Sequence, residues 1–157
     1  MTPREYLENV VRPNIADLHN QSDSVRLACN AIATVDALAA YIFYWCHAWA
    51  PSEITGLKDD TDYRATLAQR NPDFLLLRDT AKAQKHVRLT RGKRHVTKAE
   101  QMSSRAIGWG EGPYGEGRFG GPPQVVIDTD DGNLCYVESL VDSALGFLES
   151  EMARLRI

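Results

Sequence analysis

The residues of this chain best suited to chemistry lie together in Leu77-Arg78-Asp79-Thr80-Ala81-Lys82-Ala83-Gln84-Lys85-His86. On a helix, positions i, i+4 and i+7 share a face, so Arg78, Lys82 and Lys85 fall on one stripe and Asp79 and His86 on its neighbour. A carboxylate beside an imidazole orients it and raises its pKa, and adjacent cations hold a phosphate. From Arg78 to Lys98 there are eight basic residues (Arg78, Lys82, Lys85, Arg88, Arg91, Lys93, Arg94, Lys98) and one acid, Asp79, so this segment carries +7 and the remainder −10. The expectation is an anion site in which Arg78, His86 and Asp79 are the catalytic candidates and Lys82, Lys85, Arg88, Arg91, Lys93 and Arg94 bind the anion. The competing reading is structural: cations in the last turns of a helix offset its dipole, and His86 and Asp79 bond each other only to hold the core.

The pattern Arg78-Asp79-x-Ala81-Lys82-x-x-Lys85-His86 follows Val11-x-Pro13-Asn14 and a long apolar second helix. In this it resembles bacterial proteins bearing an Arg-Asp-x-Ala-Asn-x-x-Lys-His helix, which in turn are similar to the HEPN superfamily of small helical domains. The resemblance covers about the first 90 residues. It implies an all-helical bundle, often dimeric. In active members it implies a metal-independent RNase, with the His acting on the attacking 2′-hydroxyl or leaving group and the Arg steadying transition-state charge. HEPN nucleases place four to six residues between these two; here seven separate Arg78 from His86, which turns them about 80° apart on a helix.

The elements that must position these residues can be read along the chain. Thr2-Pro3-Arg4-Glu5 is a capping box with Pro at the first helical position, opening a helix that runs to about His19 and kinks near Val10 because Pro13 lies inside it. Ser24 to Trp49 reads as a second helix, apolar nearly all round after Ala37 and therefore central, and Pro51 stops it. Asp62 is a candidate cap for a segment Tyr63 to Arg70. Asn71-Pro72 restarts helix to roughly Leu89, with Phe74, Leu75, Leu77, Ala81 and Val87 inward and Gly92 at its end. Ser104 to Trp109 is a candidate strand, Val125-Val126-Ile127 is a β-branched strand, Asp131-Gly132 a hairpin turn, and Leu134 to Val137 the return strand. Glu138 to Arg154 closes the chain as a helix. The predicted fold is mainly α: one domain over residues 1–157, a four-to-five-helix antiparallel bundle with a small antiparallel β-hairpin insertion, about residues 104–137, before the last helix.

Other motifs carry less chemistry. Asp36 and His47 share a face of the second helix but lie about 16 Å apart along its axis, too far to ligate one metal, and His47 reads as a core histidine. The Asp128-Thr129-Asp130-Asp131-Gly132-Asn133 run departs from a calcium loop in its glycine position and reads as a β-turn. Gly108 to Gly121 holds seven of the 11 glycines but no Gly-Lys-Ser/Thr ending, so it is no nucleotide loop; Trp109, Tyr114 and Phe119 within it offer a contact surface for a partner. No metal or cofactor is expected.

With 43% apolar and 25% charged residues the chain has the composition of an ordinary globular domain, and a net charge of −3 excludes a uniformly basic nucleic-acid coat. Cys29, Cys46 and Cys135 form no Cys-x-x-Cys pair and read as reduced thiols of a cytoplasmic protein, with no secretory leader or membrane span expected. Two functions follow: a HEPN-like protein that binds or cleaves RNA through the 78–98 segment, or a non-catalytic helical scaffold or protein-interaction module, with a homodimer possible in either. A third reading is a ligand pocket lined by Tyr41, Tyr44, Trp45 and Phe74.

Overall fold

The computed structural model describes residues 1–90, 94–106 and 122–157. It begins with α1 (Pro3–Tyr6), capped as expected by Thr2, whose hydroxyl accepts from the Glu5 N–H while the Glu5 carboxylate accepts from the Thr2 N–H at 2.8 Å. The kink foreseen at Pro13 takes the form of a π-helical turn, Leu7–Val11, before α2 (Arg12–Asn20). Proline has no N–H for the carbonyl four residues back, and the Arg12 N–H reaches one residue further than usual, to the Leu7 carbonyl. The Asn14 side chain donates to the Val10 carbonyl at 2.8 Å and so stabilises the widened turn.

Helix α3 (Val25–Trp49) starts at the Ser24 cap and stops before Pro51. It touches α2, α4, α5 and α6, and its buried stripe from Leu27 through Ala31, Val35, Leu38 and Ile42 to Cys46 forms the axis of the core. By length and composition α3 is long and apolar enough to cross a membrane, and half of its most apolar stretch is buried inside the fold. A short 3-10 turn, Pro51–Ile54, leads to α4 (Asp60–Arg70), whose cap is Asp59 and not Asp62: the Asp59 carboxylate accepts from the Thr61 and Asp62 N–H groups. Asn71 then caps α5 (Pro72–His86) through the Phe74 N–H at 2.7 Å.

Helix α5 is three residues shorter than its apolar periodicity predicts. Val87 adopts φ +62°, the chain reverses, and the Val87 side chain placed inward by sequence is 66% exposed. What overrides the helical pattern is a pairing with the following segment: the Leu89 N–H donates to the Thr97 carbonyl, the Ala99 N–H to the Val87 carbonyl, and Arg88 bridges Lys98.

The insertion is a three-stranded antiparallel sheet, β1 (Met102–Arg105), β2 (Gln124–Asp128) and β3 (Leu134–Tyr136), in the order β1-β2-β3. β2 and β3 are joined through Thr129–Asn133, where Gly132 takes φ +83°, so the Asp-Gly signal marks a turn longer than two residues. Val125 and Ile127 enter the helical core, and the Val125 N–H donates to the Ser22 carbonyl between α2 and α3. Helix α6 (Val137–Leu155) packs Leu140, Val141, Ala144, Leu148 and Met152 against α3 and α5. The fold is mainly α with this small sheet before the last helix, and the glycine-rich stretch with Trp109, Tyr114 and Phe119 lies outside the described residues.

Candidate anion-binding groove

Helix α5 turns its charged residues in two directions. Arg78 lies four residues after Phe74 and one after Leu77, on the stripe that enters the core, and is only 6% exposed. Its guanidinium donates to the Thr61 carbonyl of α4 at 3.0 Å and feels the Asp36 carboxylate of α3, while burial first, and then Arg94 and Arg64, lower its pKa. Asp79 is fully buried. It accepts from Arg94 Nη1 at 3.1 Å and from the His95 N–H at 3.1 Å.

These placements correct the expected triad. Asp79 does not orient His86; its two carboxylate oxygens fasten the segment after α5 back onto the helix. His86 is exposed at the last turn of α5 and Arg78 is inside the bundle, so the two are not brought to one surface. Lys85 is exposed on the outer side of α5, and Arg91 and Lys93 lie outside the described residues.

What the fold does assemble is a groove of about 360 Å³ lined by Lys82, His86, Arg88, Leu89, Thr90 and Arg94. Its floor is α5 and its wall is the segment that turns back at Val87. The turn is a tight one in which the Arg88 N–H donates to the His86 carbonyl at 2.6 Å, with a β-branched residue at its centre in a left-handed conformation. The wall is held from its other side by the sheet. Gln101 accepts from the Thr97 and Lys98 N–H groups, both at 2.8 Å, and donates to the Asp128 carbonyl at 2.7 Å, while the Asp130 N–H donates to the His95 carbonyl. Arg94 is thus positioned between Asp79 on α5 and the β2–β3 turn.

Cations outnumber carboxylates behind the groove. Arg64, Arg78, Lys82 and Arg94 share a partly buried cluster with Asp36, Asp60 and Asp79; Arg64 bridges Asp60 at 2.6 Å and Asp36 at 3.5 Å. Burial pushes the Asp36 carboxyl above its ordinary range even though Arg64, Arg78 and Lys82 pull it down. Burial also lowers the Lys82 ammonium, and Arg78 and Arg94 lower it further. Lys82 and Arg88 make no ion pair with a carboxylate among the described residues, and the Nε atoms of Arg64, Arg78 and Arg94 are buried without a hydrogen-bond partner among them.

In the sequence Asp36 was weighed only against His47 and set aside, so this cluster was missed. The signal was available: a lone acid within an apolar helix has to find cations from neighbouring elements. His47 itself is exposed beside Phe43, not in the core. A second centre was also missed. Glu151 on α6 is 3% exposed and lies between two forked guanidinium groups, Arg70 at 2.9 and 3.2 Å and Arg154 at 3.0 and 3.2 Å. Burial raises its pKa, but the hydrogen bonds from Arg154 and Arg70 prevail and bring it from 4.5 to about 2. This is a structural clamp between α4 and α6.

The apolar pocket foreseen near Tyr41, Tyr44 and Trp45 exists as an open cavity of about 550 Å³, bordered also by Trp49 and Ala48. Phe74 does not line it, being fully buried against Phe147. Among the described residues no three His, Cys, Asp or Glu side chains gather as a metal site. No family model matches the chain, and no curated protein or solved structure shows significant similarity to it.

Proposed function

We propose that this chain is a HEPN-like helical domain that binds RNA through the groove at the end of α5. The observation that supports this reading is the gathering of Lys82, His86, Arg88 and Arg94 on one concavity, with Lys82 and Arg88 lacking a carboxylate partner among the described residues. Phosphates supply the missing negative charge, and Leu89 gives the groove an apolar edge against which a base or ribose rests. The reading is one of binding without cleavage, because Arg78, the residue assigned to transition-state charge, donates inward to Thr61.

A second reading, favoured by the burial of Arg78 and by the exposure of Tyr44 and Trp49, is a scaffold that meets another protein or a second copy through its aromatic face. One experiment separates them. Single-stranded RNA is titrated with wild-type protein and with a Lys82→Gln/Arg88→Gln variant in the presence of a metal chelator, and the RNA is then resolved by length. Binding lost in the variant, with RNA intact, supports the proposal. Wild-type protein that does not retain RNA at low salt overturns it, and metal-independent cleavage abolished by His86→Ala restores the nuclease.

A further inference from the structure

We propose that the α5 groove takes a terminal phosphate monoester of an RNA strand in preference to the internal diester backbone, an inference that rests on the RNA reading above. Charge favours the monoester. Of the three cations lining the groove, Arg94 is already matched by Asp79 at 3.1 Å, which leaves Lys82 and Arg88 unmatched among the described residues. The cluster behind the groove, which already includes Lys82 and Arg94, does not remove this excess: with Arg88 added, five cations face three carboxylates. A backbone diester carries one negative charge and matches one of the two. A monoester carries about 1.5 to 2 negative charges near pH 7 and matches both.

The supply of donors agrees with the charge. A diester offers two non-bridging oxygens and a monoester three. The groove is lined by four side chains that carry donors, Lys82, His86, Arg88 and Thr90, and a third anionic oxygen offers them more acceptor sites than the two of a diester. These groups are not spent on ending the helix: the His86 carbonyl is taken by the Arg88 N–H and the Val87 carbonyl by the Ala99 N–H. Lys82 is also half-buried, so a contact made there is screened less than one on the open surface.

The test compares three oligoribonucleotides of one sequence, bearing a 5′-phosphate, a 3′-phosphate or hydroxyls at both ends, against the full chain at fixed salt. One of the phosphorylated strands is expected to bind roughly tenfold or more tightly than the hydroxyl strand, the scale of one or two added charge-assisted hydrogen bonds. Which strand does so identifies the end recognised. Arg88→Gln, at an exposed position where the side chain makes no ion pair among the described residues, is expected to abolish the difference; Lys58→Gln, on the surface before α4, is expected to keep it. Equal binding of all three strands with a clear salt dependence overturns this inference and leaves the RNA reading standing. Failure of every strand to bind overturns both.

Discussion

At the scale of the residue, Asp79 and Glu151 carry the sharpest expectations. Asp79 fastens Arg94 and the His95 backbone to α5, so Asp79→Asn removes a negative charge beside the groove while loosening its wall. Charge alone predicts tighter RNA binding. Because an ordered Arg94 and wall matter more, binding is expected to weaken several-fold, and a titration that shows tightening contradicts that assignment. Glu151→Gln leaves two guanidinium groups without their anion and is expected to cost about 3 kcal/mol in denaturant unfolding. The pH dependence has the sign of a depressed carboxyl. Its contribution is complete above the ordinary pKa of 4.5 and is lost as pH falls toward the folded value of about 2, so the difference between wild type and variant narrows across that window. A difference independent of pH from 6 to 2.5 contradicts it.

At the scale of the element, several helix ends followed from local rules. Ser24, Asn71 and the prolines at 51 and 72 set helix ends through caps and missing donors, and the structure places those ends where the residues require. The end of α5 was not legible, because Val87, Arg88 and Leu89 continue a helical period and no propensity rule puts a valine at φ +62°. The reversal is imposed by the pairing of Arg88 with Lys98 and by the Asp79 anchor, contacts between residues 10 and 15 positions apart. Val87→Gly is therefore expected to relieve strain at an exposed position and to stabilise by about 1 kcal/mol, a rise of roughly 2–4 °C in Tm for a domain of this size. A fall in Tm shows that the conformation is unstrained and that the entropy of glycine dominates. The same long-range contacts explain why the site was legible only in part. The segment 78–98 was recognisable from its charge, whereas the inward turn of Arg78 depends on Thr61 and Asp36, which belong to other helices.

At the scale of the whole molecule, the net charge of −3 conceals a division of labour between bundle and insertion. The bundle supplies α5 and the buried cluster behind it, in which cations outnumber carboxylates. The sheet braces the segment that carries Arg88 and Arg94, through Gln101 and the β2–β3 turn. An acidic chain with one braced basic groove is suited to local contact with phosphate, not to coating a polyanion. The salt dependence of RNA binding tests the groove most directly. A groove with two unmatched cations predicts that log K for single-stranded RNA falls against log salt with a slope of about −1.4, and that Arg88→Gln brings it to about −0.7. Binding that does not respond to salt, or a slope the variant leaves unchanged, contradicts it.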